Sequence, residues 1–417
     1  MTLVCVLARS IWLGLVVASC AERPDAQSPD LRLSERRTPI APAAEASAAA
    51  VGLEPAAVVE IARPDEPTPL TGAREVEAEP RIVLAAGGDV NFGRECGQYI
   101  LKDVAYDPFA GLGAAWTSAD LRFVNLESQL SDQKGVTQNP GNRLIFTGPP
   151  GGADVLAMRG VSVVSTANNH AWDYGKSALL ETIDNLTRAQ VAFAGTGRDA
   201  EQAYTPVVLH VKGRSIALFA VTHIWNNGIF ETHEGRDFVA WASVDKLRPN
   251  IELARREHDF VIVSYHGGEE YVPAPVDRTK RFVDAIMALG VDVVIGHHPH
   301  VPQGIGWFEG RPIVYSLGNF VFAGHDNRPW TKASFFARLT LQKGAPPEVD
   351  ACPVALDGHR PRSFSTEREK IQFERFRLHM LSLSISTGGA DVAKVDERGC
   401  LRITPKTSKA APVPDAR

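Results

Sequence analysis

The chain has 417 residues, of which 44% are hydrophobic and 22% are charged, and this is the composition of an ordinary globular protein. Its length exceeds that of one average domain, although part of it could be tail. The formal net charge is −5, so there is no basic excess, and nucleic acid is not an expected partner.

Residues 1–20 have the pattern of a signal peptide. Arg9 precedes a short apolar run that ends near Ala18 and is too short to cross a bilayer as a mature helix. The run closes in VVASC, which resembles the lipobox of bacterial lipoproteins, with Cys20 as the lipidated first residue. The alternatives are a plain secretory signal cleaved between Ala18 and Ala21, or a retained anchor. We therefore expect an exported protein, lipid-anchored at the cell envelope, on the periplasmic or the outer surface.

Composition divides the rest of the chain. Residues 21–80 are rich in Ala, Pro and Glu and almost lack aromatic residues, which predicts a disordered linker. The folded domain is expected over residues 81–345. Residues 346–404 are expected to extend this domain with a helix and a strand, and residues 405–417 are expected to form a disordered tail.

Export would permit a disulfide. Of the five cysteines, Cys5 lies in the predicted signal and Cys20 is the predicted lipidation site. Cys352 and Cys400, both in the C-terminal region, are the favoured pair among the remaining three. The alternative is that these two and Cys96 are free buried thiols.

From residue 81 onward, short apolar runs alternate with segments of helical periodicity, which predicts an α/β protein. Two segments are typical of amphipathic helices, GKSALLETIDNLTRAQ and DRTKRFVDAIMALG, and the second closes at Gly290. The predicted buried strands that run into polar loops are RIVLAAGG, LRFVNLE, VSVVSTANNH, SIALFAVTH, DFVIVSYHGG and VDVVIGHHPH.

Five of these predicted strands end in residues able to bind a metal. Because open α/β sheets hold ligands outside the carboxyl ends of their strands, we expect these side chains to meet at one edge. A mixed set of carboxylate, amide and imidazole groups suits Mn, Fe or Zn, and the lack of thiolates argues against a structural zinc site. The residues are Asp89, Glu127, Asn169 with His170, His266, and His298 with His300.

The segment GHHPHVPQ places three histidines within four positions. Pro299 presets the backbone and excludes a helix, so His298 and His300 can converge on a metal from a loop. His297 is expected to support this pair. Asn168 and Asn319 are expected to be structural.

Six motifs occur in the order GGDVNFGR, VNLE, ANNHAWDYG, HGGEEY, GHHPHVPQ and YSLGNFVF. Together they resemble the CapA family of poly-γ-glutamate capsule proteins, which is related to the calcineurin-like metallophosphoesterases. The resemblance covers residues 82–322. It implies a two-sheet β-sandwich flanked by helices, with a two-metal site at the C-terminal ends of the strands.

The resemblance also implies a role for each side chain of this set. Two divalent ions would activate a water and hold the attacking and leaving oxygens of the substrate. Glu127 would bridge the ions, with the other ligands around them. The implied metal ligands are Asp89, Glu127, Asn169, His266, His298 and His300.

Three further residues are the expected catalytic groups. His170 would protonate the leaving alcohol, and Asp173 would fix the tautomer of His170. Arg94, the nearest cation, would hold a phosphate or carboxylate oxygen. One departure weakens the first metal position, because the phosphoesterases begin with Asp-x-His and this chain has Asn91 where that histidine stands.

These features favour an exported CapA-like protein that acts in the synthesis, export or retention of an anionic surface polymer such as poly-γ-glutamate. Its substrate would be that polymer or a phosphoester, and the capsule synthesis machinery would be a partner. Two alternatives stay open. One is a scaffold that binds polymer without catalysis, and the other is a general periplasmic phosphatase.

Overall fold

A computed structural model of the chain describes residues 58–60, 78–103, 105–133, 145–323, 328–364 and 369–405. The predicted signal with its Cys20, most of the predicted linker and residues 406–417 of the predicted tail lie outside these residues. Pro405, the first residue of that predicted tail, is the last residue of a strand. Within the described part, no helix has the length and apolar character needed to cross a membrane.

The described residues form strands that we number in chain order. They are β1 (Val58–Glu60), β2 (Ile82–Val90), β3 (Leu121–Leu126), β4 (Gln129–Leu130), β5 (Thr147–Gly148), β6 (Val163–Ser165), β7 (Ala192–Ala194), β8 (Val207–Val211), β9 (Arg214–Thr222), β10 (Phe260–His266), β11 (Val293–His297), β12 (Ile305–Phe308), β13 (Arg311–Val314), β14 (Asn319–Val321), β15 (Ala333–Leu341), β16 (Glu348–Asp357), β17 (Arg360–Ser363), β18 (Gly389–Val395) and β19 (Leu401–Pro405).

The helices of the described part connect and cover these strands. They are α1 (Arg94–Lys102), α2 (Ala114–Thr117), α3 (Gly152–Met158), α4 (Gly175–Arg188), α5 (Ala200–Tyr204), α6 (Val244–Glu257), α7 (Asp277–Ala288) and α8 (Lys370–Ser386), with short 3₁₀ turns at Phe230–Thr232 and Glu234–Asp237. Both amphipathic helices predicted from sequence are present, as α4 and α7. Gly290, with φ of +95°, follows the second of them as expected of a C-cap glycine.

Two large sheets form the body of the protein. The first has the strand order β1-β8-β9-β10-β11-β13-β12, and the second runs β18-β19-β16-β15-β2-β3-β6-β7, with β14 beside β2 and β17 beside β16. Strands β9, β10 and β11 are parallel to one another, as are β2, β3, β6 and β7. The central strands are buried on both faces, which explains their nearly continuous apolar sequences.

The hydrophobic core lies in three layers. One cluster joins both sheets, since it contains Leu84 and Phe123 of the second sheet together with Ile262 and Ile295 of the first. Two further clusters pack helices onto the outer faces, with α1 to α3 on the second sheet and α5 to α7 on the first. The predicted two-sheet sandwich flanked by helices is therefore confirmed.

The sequence expectations fail at two places. The predicted linker includes Val58–Glu60, yet β1 pairs in parallel with β8 as an edge strand. The C-terminal region was expected to add one helix and one strand, but it also supplies β16, β17 and β18 to the second sheet. The disulfide between Cys352 and Cys400, which links β16 to the start of β19, is confirmed, and Cys96 is free and buried.

Candidate metal centre

Polar side chains from both sheets meet where the parallel strands end. Asp89 lies near the end of β2 and Glu127 directly follows β3, while His266 and His297 end β10 and β11. Oε1 of Glu127 lies 3.6 Å from Nε2 of His266 on the other sheet, and Oδ1 of Asn169 lies 2.8 Å from that same nitrogen. The residues expected at one edge are thus brought together.

The side chains form two overlapping groups whose ligand atoms lie within 4.8 Å of one another. The first group is Glu127, His266 and His298, and the second is Asp89, Glu127 and His300. All five residues are buried. Glu127 belongs to both groups, which is the placement expected of a carboxylate that bridges two ions.

Glu127 is the least satisfied carboxylate of the site. It is fully buried, and neither of its oxygens has a hydrogen-bond partner within the described part of the chain. Burial raises its pKa well above the usual value, and the nearby Asp89, Glu270 and Asp173 carboxylates raise the pKa further. A buried carboxylate without hydrogen bonds is unfavourable unless a cation pairs with it. The donor set therefore fits a divalent metal.

The pKa of Asp89 is shifted in the opposite direction. Burial alone would raise its pKa, but the side chains of His297 and His300 outweigh this effect and hold the pKa well below its usual range. Their Nδ1 atoms each lie 3.4 Å from an oxygen of Asp89, and Nδ2 of Asn125 donates to its Oδ1 at 2.8 Å. These contacts favour the ionised form of Asp89 and fix the orientation of its carboxylate.

Two histidines of the site, His266 and His298, have lowered pKa values that favour the neutral imidazole. Burial, followed by repulsion from His298, lowers the pKa of His266 well below its usual value. Burial and repulsion from His300 lower the pKa of His298 to about 3. Neutral imidazoles offer the lone pairs that a metal requires. His298 and His300 have φ of +98° and +58°, so the loop around Pro299 is strained, as is common at functional sites.

His170 has a fixed orientation beside the ligand groups. Its Nδ1 lies 2.7 Å from Oδ2 of Asp173, and the backbone N–H of Phe146 donates to that oxygen at 2.5 Å. The Phe146 ring stacks on the imidazole with 3.7 Å between centroids. Arg94 lies on the same ring, with Cζ 4.6 Å from its centroid, and donates to the carbonyl of Ala323 at 2.7 Å. This geometry is compatible with the roles predicted for His170, Asp173 and Arg94, which stay predictions.

Asn91, which stands where the motif Asp-x-His has its histidine, has another role here. Its Oδ1 accepts a hydrogen bond from the backbone N–H of Gly93 at 2.8 Å, which forms the turn between β2 and α1. The second group therefore keeps three ligating residues, Asp89, Glu127 and His300, without an imidazole from this position.

Sequence reasoning underrated several residues. Asn125 of β3 donates to Asp89 and has Nδ2 3.2 Å from Nδ1 of His266. Asn319 was expected to be structural, yet its Oδ1 lies 2.9 Å from Nδ1 of His300. Arg328 was not considered, although its Cζ lies 4.0 Å from the ring centroid of Tyr271, which packs beside His300. The motifs VNLE and YSLGNFVF were the available signal for the two asparagines.

Comparison with known proteins gives consistent matches. Residues 83–324 match the profile of the family described as Bacterial capsule synthesis protein PGA_cap. The chain is 28% identical to the PGA biosynthesis protein CapA of Bacillus subtilis (strain 168), over 67% of this chain and 73% of that protein. It is 26% identical to the Capsule biosynthesis protein CapA of Bacillus anthracis, over 70% and 71%. A solved putative 5′-nucleotidase from Staphylococcus aureus, in complex with alpha-ketoglutarate, aligns with 14% identity and a TM-score of 0.41, over 72% of this chain and only 59% of that one.

Proposed function

Because this chain belongs to the bacterial capsule synthesis protein family PGA_cap, we propose that it is an exported, metal-dependent hydrolase that acts on an anionic surface polymer such as poly-γ-glutamate. The names of the two Bacillus relatives, which refer to PGA biosynthesis and capsule biosynthesis, support the choice of polymer. The proposal for the reaction depends on the site itself.

The single observation that carries the proposal is the buried, unbonded Glu127 between two groups of ligand atoms. In a purely structural role, such a carboxylate would destabilise the fold without compensation. A shared carboxylate between two histidine-containing groups is explained if each group holds a divalent ion, such as Mn, Fe or Zn.

The chain supplies the metal ligands. Glu127, His266 and His298, together with the amide oxygen of Asn169, would hold one ion, and Asp89, Glu127 and His300 would hold the other. When bound, the two ions would supply an activated water and stabilise the negative charge that develops on the reacting oxygens.

The neighbouring residues handle the proton and the substrate. Since Asp173 holds Nδ1 of His170, Nε2 is the nitrogen left to deliver a proton to the leaving group. The stacked Phe146 ring restricts the imidazole to this orientation. Arg94 and Arg328 would attract carboxylate or phosphate groups of an anionic substrate, since each guanidinium lies against an aromatic ring that packs on a histidine of the site.

Export and lipid anchoring complete the proposal, on the basis of the N-terminal sequence. A Cys20→Ser variant expressed in a bacterial host should leave the membrane fraction while the wild type stays in it. Equal membrane association of the two proteins would contradict lipidation.

The catalytic proposal is tested with purified wild-type protein, loaded with Mn²⁺ or Zn²⁺, against a panel of phosphoesters and γ-glutamyl oligomers. Glu127→Gln is the matched variant, because it keeps the size of the side chain and removes its charge. We expect turnover of at least one substrate class by the wild type and none by Glu127→Gln. Equal turnover by both proteins would refute the site, and turnover of phosphoesters alone would favour a general phosphatase.

A second candidate function is a binding or scaffold protein for the polymer. The observation that favours it is Asn91, whose side chain forms a turn in place of supplying an imidazole ligand. In that case the wild type would bind γ-glutamyl oligomers tightly but would hydrolyse none of the panel.

A further inference from the structure

A short series of buried hydrogen bonds ends on His300. Nδ2 of Asn319 donates to the backbone carbonyl of Thr331 at 3.1 Å, and Oδ1 of Asn319 lies 2.9 Å from Nδ1 of His300. Asn319 is 1% exposed and His300 is 3% exposed, so water does not compete for these bonds.

These bonds determine which nitrogen of His300 carries the proton. A carbonyl oxygen only accepts, so Thr331 holds the NH₂ end of the Asn319 amide and turns the amide oxygen toward the imidazole. The amide oxygen also only accepts, so Nδ1 of His300 must be the protonated nitrogen. The lone pair is then on Nε2, which lies 3.8 Å from Oε1 of Glu127, at the ligand group.

The position of the Thr331 carbonyl depends in turn on the C-terminal helix. Trp330, the preceding residue, has φ of +65°, which a bulky side chain rarely adopts. Its ring stacks on His379 of α8 with 3.9 Å between centroids and 3° between planes, and it also packs against Phe376. Trp330 and α8 both lie beyond residue 324, where the family match ends.

We infer that Asn319 is a positioning residue for His300 and that α8, through Trp330, maintains it, so that the C-terminal region helps to set metal affinity. The inference rests on the proposed metal centre. Groups that orient a ligating histidine from behind raise its basicity, and their loss typically weakens metal binding by about 10- to 100-fold.

The test compares the Zn²⁺ affinity of full-length wild type, Asn319→Ala and Asn185→Ala by competition with a chromogenic chelator. Asn185 of α4 is the matched control, because its Nδ2 donates to the backbone carbonyl of Leu130 of β4 at 2.9 Å, and Leu130 is not a residue of either ligand group. We expect Asn319→Ala to bind about 10- to 100-fold more weakly and Asn185→Ala to bind like the wild type. Wild-type affinity in Asn319→Ala would overturn the inference.

A spectroscopic measurement separates positioning from a merely structural role. In the metal-free protein, ¹⁵N NMR should detect the Nδ1-protonated tautomer of His300, assigned with His300→Ala. Asn319→Ala should weaken this preference, because Oδ2 of Asp89, 3.4 Å from Nδ1, would be the acceptor that remains. An unchanged tautomer in Asn319→Ala would contradict the argument from hydrogen bonds.

A second pair of variants tests the helix, even if Asn319→Ala does not fold. His379→Phe keeps a ring on Trp330 and should retain Zn²⁺ affinity, whereas His379→Ala should weaken it. Equal Zn²⁺ affinities of the two variants would show that α8 does not influence the metal centre. If the wild type binds no metal, the proposed function fails as well; if the wild type binds metal and all variants bind equally, only this inference fails.

Discussion

Buried carboxylates occur in two regions of this protein, and the two regions treat them differently. In the C-terminal part of the second sheet, Asp350 of β16 receives two hydrogen bonds from Arg402 of β19, at Oδ1 and, at 3.2 Å, at Oδ2. Arg402 also donates to Glu348 at 2.7 Å. At the candidate metal centre, Glu127 is also buried and has no hydrogen bond within the described residues. A buried carboxylate is thus paired with an arginine in one region and has no hydrogen-bond partner among the described residues in the other.

The difference separates a stabilising role from a functional one. A paired carboxylate such as Asp350 contributes to the fold, or at least does not oppose it. An unpaired one such as Glu127 opposes folding until a cation binds, and proteins tolerate this mainly where function requires it. The comparison predicts that removing charge will destabilise the C-terminal sheet but stabilise the metal-free centre.

The largest expected effect is at the centre. Glu127→Gln should lose metal-dependent activity by more than about 100-fold, as expected when a ligand is removed. The metal-free variant should nevertheless unfold at a higher temperature than the metal-free wild type, because a buried carboxylate has been replaced by a neutral amide. Calorimetry of both proteins after removal of metal with a chelator checks this. A lower melting temperature for Glu127→Gln than for the wild type would contradict the comparison.

The next largest effect is expected from the disulfide between Cys352 and Cys400, which lies in the C-terminal part of the second sheet. Removing it in Cys352→Ala/Cys400→Ala opens a loop with a sequence separation of 48 residues, for which loop entropy predicts a loss of about 4 kcal/mol. Denaturant unfolding under oxidising conditions measures this loss. Metal content should stay at the wild-type level, and a loss of metal would show that the two regions are not separable.

The ion pair on β16 and β19 sharpens the comparison. Arg402→Met should leave Asp350 buried without its partner and destabilise the protein by about 1–3 kcal/mol. Arg248→Met is the control, since Arg248 is exposed on α6 and pairs only loosely with Glu252 at 3.7 Å. A loss of stability that is no larger in Arg402→Met than in the control would contradict the assigned role of this pair.

The smallest effect is the dependence of stability on pH. The pKa of Glu127 is raised on folding, so the folded metal-free protein binds this proton more tightly than the unfolded chain. The stability that this bound proton contributes is therefore fully present when the pH is below 4.5, the usual pKa of the side chain. It is lost as the pH rises toward the folded pKa, at up to about 1.4 kcal/mol per pH unit. The stability difference between wild type and Glu127→Gln isolates this effect from the buried histidines, whose lowered pKa values act in the opposite direction. A difference that does not change with pH would refute the raised pKa.

Sequence patterns predicted the parts of the molecule that local chemistry determines. Apolar runs that end in Asp89, His266 or His298 indicated buried strands and their exits, because burial and strand ends leave a signal within a few residues. The family resemblance is likewise confirmed by the match over residues 83–324. The roles of individual site residues stay predictions, although the structure places the predicted ligands within one small volume.

The parts that sequence did not predict depend on pairing between distant segments. Asn319 reaches His300 because β14 pairs with β2, which places Asn319 beside Asp89. Trp330 meets His379 only after α8 has packed on the domain. The edge strand Val58–Glu60 has linker composition and becomes a strand through its pairing with β8. None of these contacts has a local periodicity that a sequence could reveal.

The most direct test of the account is the number of metal ions per chain, measured by native mass spectrometry on protein purified without chelators and loaded with Mn²⁺ or Zn²⁺. We predict two ions per wild-type chain and a loss of both in Glu127→Gln, because this side chain belongs to both ligand groups. Two ions retained by Glu127→Gln, or none bound by the wild type, would contradict the account.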